Sequence, residues 1–404
     1  MNIPQLRFPE FIDNWTENKL GEIATFSKGK GISKADIADN GKTECIRYGE
    51  LYTTYGETID VVKSRTNIDE TDLVYSEGND VIIPASGETQ IDIATASCVL
   101  RKGIALGGDL NIIKTKNNGV FLSYYLNYKK KLEIANLAQG ISVVHLYSSQ
   151  LSQLELNLPI KTEQDKIALF IRSIDEKIQA LKKKKSLLEQ YKKGIMQKLF
   201  SQQLRFKDEN GKDFPEWEVK KLGEVFYSEK GKGISKDKLI EDGKFECVLY
   251  GELYTKYSEV IFEVVSKTNE IDGVKSKKGD LLIPSSTTTT GIDLANVTAL
   301  NKDDVLLGGD ITILRSQEKI NNVFYAYYLS NHKKEEIASY AQGSTIVHLY
   351  YSHIKDMFID LPCLKEQNKI ANFLADIDTK INMLIFEIKK DEIWKKGLLQ
   401  KMFV

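Results

Sequence analysis

Apolar residues at alternating four- and three-residue steps mark two long stretches of this chain. Over residues 163–200 they are Ile167, Ile171, Ile174, Ile178, Leu181, Leu188, Ile195 and Leu199, interrupted at Lys185 and Lys192. Over residues 366–403 they are Ile370, Leu374, Ile377, Ile381, Leu384, Ile388 and Leu398, interrupted at Asp391. A 4-3 apolar repeat sustained through several heptads on a charged background predicts coiled-coil helices. At 1.5 Å per residue, each would be a rod on the order of 55 Å long. Since one stretch repeats the other, the two are expected to pack together. A Leu-Pro step precedes each, at 158–159 and 361–362, and Asp165 and Asn368 fall near the expected helix starts.

Elsewhere the apolar runs are short. TECIRYGELY, NDVIIPAS, IATASCVL and LNIIKT are β-prone and bounded by Gly, Asn, Asp and Lys, which predicts brief strands. Residues 121–137 read as a short helix, echoed at 324–340. The echo is general. Residues 20–57 and 222–259 are identical at 22 of 38 positions. The match continues through Pro84 and Pro284, Leu-Gly-Gly-Asp at 106–109 and 307–310, Gln-Gly at 139 and 342, and His-Leu-Tyr at 145 and 348. The chain is therefore two copies of one unit, each a globular part followed by a long helix. The expected division is 1–160, a helix over 161–202, 203–362, and a helix over 363–404. QLRF at 203–206 follows the first helix and also occurs at 5–8. Joined end to start, the chain would repeat that junction, as a pseudo-two-fold object cut open at one point does. This predicts neighbouring termini and antiparallel helices, with the globular parts at opposite ends of the helix pair. The fold class is α+β.

Composition changes this picture little. The chain of 404 residues is 42% hydrophobic and 28% charged, so it is globular. No apolar run reaches the length of a membrane span and the N-terminus lacks the regions of a signal peptide, which predicts a cytoplasmic protein. Cys45, Cys98, Cys247 and Cys363 form no CxxC pair. Cys45 and Cys247 occupy matched places in apolar runs, as small buried residues do. The net charge of −1 argues against a stand-alone nucleic-acid binder with a large basic surface, although lysines are clustered.

Enzymatic signals are missing. GKGISK at 29–34 and 231–236 lacks the spacing of a phosphate-binding GxxxxGK loop. His145, His332, His348 and His353 show no metal-ligand spacing. There is no GxSxG elbow, and no Asp/Asn-Pro-Pro-aromatic motif of the kind amino-methyltransferases use. No catalytic residue, metal or cofactor is expected.

What remains is loops rich in hydrogen-bonding and cationic side chains. Lys28, Lys30, Ser33 and Lys34, with Lys230, Lys232, Ser235 and Lys236, combine phosphate-anchoring groups with glycines whose backbone can approach a phosphate. Solvated surface turns have the same composition. Ser86, Glu88, Thr89 and Gln90, matched by Ser285, Ser286, Thr287, Thr288 and Thr289, supply donors and acceptors able to read base edges. An idle loop could also be built from them. Their flanks match between the copies while their tips differ, as expected of two readers with one frame and unequal targets. Arg47 stands opposite Leu249 in the same way. Tyr48, Tyr52, Tyr250 and Tyr254 are further candidates, although tyrosines there could equally be core.

These features together resemble the specificity subunit of a type I restriction-modification enzyme. The resemblance rests on LGEI/LGEV after Trp15 and Trp217, RYGELYT/LYGELYT, the Ile-Pro step, LGGD, QG before HLY, the LP-xxxEQxKI helix entry and the KKGIMQKLF/KKGLLQKMF ending. Their order and duplication carry it, since no single motif is specific. It implies two target-recognition domains, each reading half of a bipartite double-stranded DNA sequence, separated by two antiparallel helices; a rigid helix pair of the length expected above would act as a ruler that sets the unread spacer. It also implies two methyltransferase (modification) subunits and, for cleavage, two restriction/translocase subunits, which carry the chemistry. The half-sites are expected to be related in inverted orientation but not identical. A duplicated adaptor binding only proteins is the competing reading, and a self-sufficient DNA-modifying enzyme a third.

Overall fold

The computed structural model describes residues 3–403. The chain divides into two units, residues 1–182 with 386–404, and residues 183–385. Each long helix, Lys161–Phe200 and Leu364–Met402, is continuous and contributes to both units.

In the first unit a five-stranded sheet runs in the order Ala24–Lys28, Leu110–Thr115, Asp80–Pro84, Ser97–Val99, Thr58–Ile59. A four-stranded sheet is ordered Ser64–Thr66, Thr43–Ile46, Lys102–Leu106, Tyr75–Glu77. The second unit repeats both orders strand for strand, from Phe226–Lys230 to Val260–Ile261 and from Ser266–Thr268 to Val274–Lys275. The central strand Asp80–Pro84 is buried throughout because both faces are covered. Side chains alternate along it. Val81 and Ile83 enter the core shared with the long helices, whereas Ile82 joins Ile46, Leu106 and Ile112 on the other face. Leu281, Ile283 and Leu282 divide the same way in the second unit.

The helical stripe serves these cores. Ile167, Ile171, Ile174 and Ile178 are buried in the first unit beside Leu398, Leu399, Met402 and Phe403 of the other helix. In the second unit Ile370, Leu374, Ile377 and Ile381 lie with Met196, Leu199 and Phe200. The segments run antiparallel within each unit. In the first, Asp175 meets Lys395 and Lys177 meets Asp391. Leu6 N–H donates to the Lys401 carbonyl at 2.9 Å, as Leu204 N–H does to that of Lys198 at 3.0 Å across the matched, covalently continuous junction.

Local reading of the sequence needs three corrections. TECIRYGELY is a strand only over Thr43–Ile46. Glu50–Thr53 forms a helical turn, with the N–H groups of Glu50 and Leu51 closing onto the carbonyls of Arg47 and Tyr48 and the Glu50 carboxylate accepting the Arg47 N–H at 2.8 Å. Residues 121–137 are two helices, Gly119–Tyr128 and Lys131–Leu137, since the N–H groups of Lys129 and Lys130 both close onto the Tyr125 carbonyl. The matched segment holds a π-helical turn at Tyr328–His332. Cys45, Cys98 and Cys247 are buried free thiols, and burial pushes their pKa values up to about 11, 12 and 11. No helix of the described residues is long and apolar enough to cross a membrane.

Candidate nucleic-acid interface

At one end of the strand Leu110–Thr115, backbone hydrogen bonds gather loops that are far apart in sequence. Gly29 N–H donates to the Leu110 carbonyl, Lys30 N–H to Leu106, Gly107 N–H to Ile46 and Gly108 N–H to Gly31. Ala85 N–H reaches Asp109, and Leu146 N–H reaches Ala85. One cluster thus joins the lysine loop, the Arg47-Tyr48 turn, the Leu-Gly-Gly-Asp loop, the Ser86–Gln90 loop and the segment around His145. Its counterpart in the second unit is held by Gly231 to Ile311, Lys232 to Leu307, Gly308 to Val248, Ser285 to Asp310 and Leu349 to Ser285.

The glycines of the lysine loop serve this assembly. A Cβ on Gly29 would stand 1.8 Å from the Gly107 carbonyl oxygen, and one on Gly231 2.1 Å from that of Gly308. The close backbone approach that Gly29 and Gly231 permit is therefore to the Leu-Gly-Gly-Asp loop. Ile32 is buried with φ of 58°, a left-handed conformation that a β-branched residue adopts only under constraint from its surroundings.

The candidate contact residues divide into exposed and internally engaged groups. Lys28, Lys34 and Lys236 are exposed, and among the described residues no side-chain hydrogen bond or ion pair holds them. Lys30 and Lys232 reach Asp72 and Asp272 at 3.1 and 3.2 Å as exposed pairs, which cost little to break. Lys230 lies 4.0 Å from Asp310 and 6.0 Å from the centroid of the Tyr350 ring. The Ser33 and Ser235 hydroxyls donate to the carboxylates of Asp36 and Asp237 at 2.6 and 2.5 Å, and these bonds hold both carboxyls below their ordinary range. Arg47 meets Glu50 at 3.4 Å, and its Nε is buried without a partner. Tyr250 is exposed, while Tyr48, Tyr52 and Tyr254 are half-buried.

In the tip loops, Ser86 is buried on a two-strand ladder, while Glu88, Thr89 and Gln90 are exposed. Thr89 caps the turn Gln90–Ile93 by accepting the Asp92 N–H at 3.1 Å, and Gln90 donates to the Ala138 carbonyl at 3.3 Å. Ser285, Ser286 and Thr287 are buried with their hydroxyls bonded to Thr312, Asp310 and Thr289. These three shape their loop from within, and Thr288 and Thr289 are exposed above them. Nowhere among the described residues do three His, Cys, Asp or Glu side chains group to hold a metal ion.

The structure adds an element that sequence reasoning used only as a motif. Residues 139–145 form a tight hairpin in which Gln139 and His145 exchange both backbone hydrogen bonds, at 2.9 and 2.7 Å. Its second strand pairs with the tip loop, Val144 opposite Gly87 and His145 opposite Ser86. The Asn111 side chain, beside Lys28 in the sheet, donates to the Leu146 carbonyl at 2.9 Å and accepts from the Ser148 hydroxyl. Gln342 and His348 repeat the hairpin, and Val347 and His348 pair with Thr287 and Ser286. His145 stacks on Tyr147, and His348 on Tyr350. The repetition of QG and HLY at fixed distance was the available signal for this element.

Comparison with known proteins places this architecture. The type I restriction enzyme MjaVIII specificity subunit of Methanocaldococcus jannaschii is 26% identical over 410 residues, covering 98% of this chain and 92% of that protein. A putative type I specificity subunit of Mycoplasma pneumoniae, S.MpnORF638P, is 27% identical over 188 residues, 46% of this chain and 45% of its own. The crystal structure of a type I restriction-modification S subunit from M. genitalium shares the fold with a TM-score of 0.67 at 19% identity, covering 100% of this chain and 99% of that one. The family described as Type I restriction modification DNA specificity domain matches residues 12–190 and again 215–392. The chain belongs to that family, and carries its domain twice.

Proposed function

We propose that this chain is the DNA sequence-recognition subunit of a type I restriction-modification complex, reading a bipartite double-stranded target with a fixed spacer. The observation that carries the reading is the duplicated loop cluster, with one backbone frame in both units and different exposed tips, Glu88-Thr89-Gln90 against Thr288-Thr289-Thr290. Within each cluster, the exposed lysines position the phosphate backbone and the polar tips read base edges. Lys28, Lys30, Lys34, Arg47, Glu88, Thr89 and Gln90, with Lys230, Lys232, Lys236, Tyr250, Thr288 and Thr289, are the proposed contacts. The chain itself catalyses nothing and needs no cofactor. Adenine methylation falls to two modification subunits and cleavage to two restriction subunits, in the cytoplasm.

The net charge of −1 fits a subunit whose partners supply much of the phosphate neutralisation. Titration of a target duplex tests this. The chain alone should bind weakly and lose affinity steeply with salt, and adding its modification partner should tighten binding at least tenfold. Assembly with the partner and no DNA affinity under either condition would instead favour a protein-protein adaptor.

A further inference from the structure

Each hairpin of the candidate interface leaves β-branched apolar side chains in water at its tip. Ile141 is fully exposed, Val143 is 51% exposed, and Ile346, which matches Val143, is 48% exposed. The bases of the hairpins are fastened. Each hairpin is closed by two backbone hydrogen bonds and laddered to the adjoining tip loop, and Asn111 fastens the first beside Lys28. In the second unit Lys230 lies over Tyr350 at the hairpin's base. Both hairpins therefore project apolar groups from a rigid base flanked by cations.

Comparison of the two tips indicates what they meet. The closing residues are the same, Gln-Gly before and His-Leu-Tyr after, and position 143/346 is β-branched in both. Position 141/344 is isoleucine in one and serine in the other. Two copies of one partner subunit would meet equal tips, whereas two unlike half-sites would meet unlike ones.

We propose that each hairpin tip enters a DNA groove and that position 141/344 reads a base, Ile141 by packing on a thymine C5-methyl and Ser344 by hydrogen bonding. The chemistry is that of direct readout: the thymine methyl is the apolar mark of the major groove, and a hydroxyl pairs with donors or acceptors of either base type. Val143 and Ile346 pack beside it as the shared part of the frame. This rests on the recognition role proposed above and adds a reading element to it.

The test uses the complex with its modification partner and a library of duplexes randomised across both half-sites. Ile141→Ser should change the preference at one base position of one half-site by roughly tenfold, leaving the other half-site and the spacer as they were. Ser344→Ile should do the same in the other half-site. Wild-type preferences at every position in both variants would overturn the proposal. So would loss of methylation by both with unchanged thermal unfolding and partner assembly, since the tips would then supply affinity without reading. A wild-type complex that methylates no bipartite motif would instead refute the recognition role itself.

Discussion

A carboxylate with no exposure to solvent anchors the start of each long helix. Glu163 accepts two hydrogen bonds of 2.7 Å from Arg7 and one of 3.4 Å from the Trp15 indole. Glu366 is held in the same way by Arg205, at 3.1 and 2.9 Å, and by Trp217, at 2.9 Å. Bidentate geometry and the indole donor offset the cost of burying the charge. Arg205→Ala leaves that charge without its cation, and should destabilise the second unit by about 3 kcal/mol in denaturant unfolding. An unchanged midpoint would contradict the anchoring role. The neighbouring glutamines are as specific: Gln164 accepts from Asn118 N–H and donates to the Asn117 side chain and the Pro159 carbonyl. The sequence displays Trp, Glu-Gln and Leu-Pro as repeated motifs. Which of them meet depends on contacts about 150 residues apart, beyond what local pattern encodes.

The 4-3 stripes announce the long helices, and two of the interruptions in those stripes, Lys192 and Asp391, find their reason in the folded state. Lys192 reaches Asp378 at 2.8 Å and Glu259 at 3.1 Å. Burial opposes the charge of Glu259, yet Lys192 and Asn331 hold its carboxyl below the ordinary range. Lys395, at the matched place, reaches Asp175 at 2.6 Å and Glu57 at 3.5 Å. Asp391 pairs with Lys177 at 2.8 Å. Polar breaks in an apolar seam of this kind fix register. Periodicity also gave no sign that half of each stripe would face a sheet-built core. A seven-residue deletion at matched places in both helices removes about 10 Å while nearly preserving the apolar face. With both units still folded, the spacer between methylated half-sites should change length. Unchanged spacing would contradict the role of the helices as its ruler.

At the scale of the molecule, the duplication was legible from sequence alone, because matched motifs recur in order over nearly the whole chain. The candidate interface was legible in part. Tip contrast pointed to residues 86–90 and 286–290, but the buried serines there and the hairpins at 139 and 342 emerge only from the ladders that bring them together. In the lysine loops the fold packs Gly29 against Gly107 and Gly231 against Gly308, a contact that local pattern does not encode. Two units with one frame and unequal tips should read related, unequal half-sites. The most direct measurement is a map of N6-methyladenine across a methylation-free host genome carrying this chain with its modification subunit. Recognition by this chain predicts a single bipartite motif with a fixed gap, absent when the chain is omitted. Methylation without such a motif, or the same motif without this chain, would contradict it.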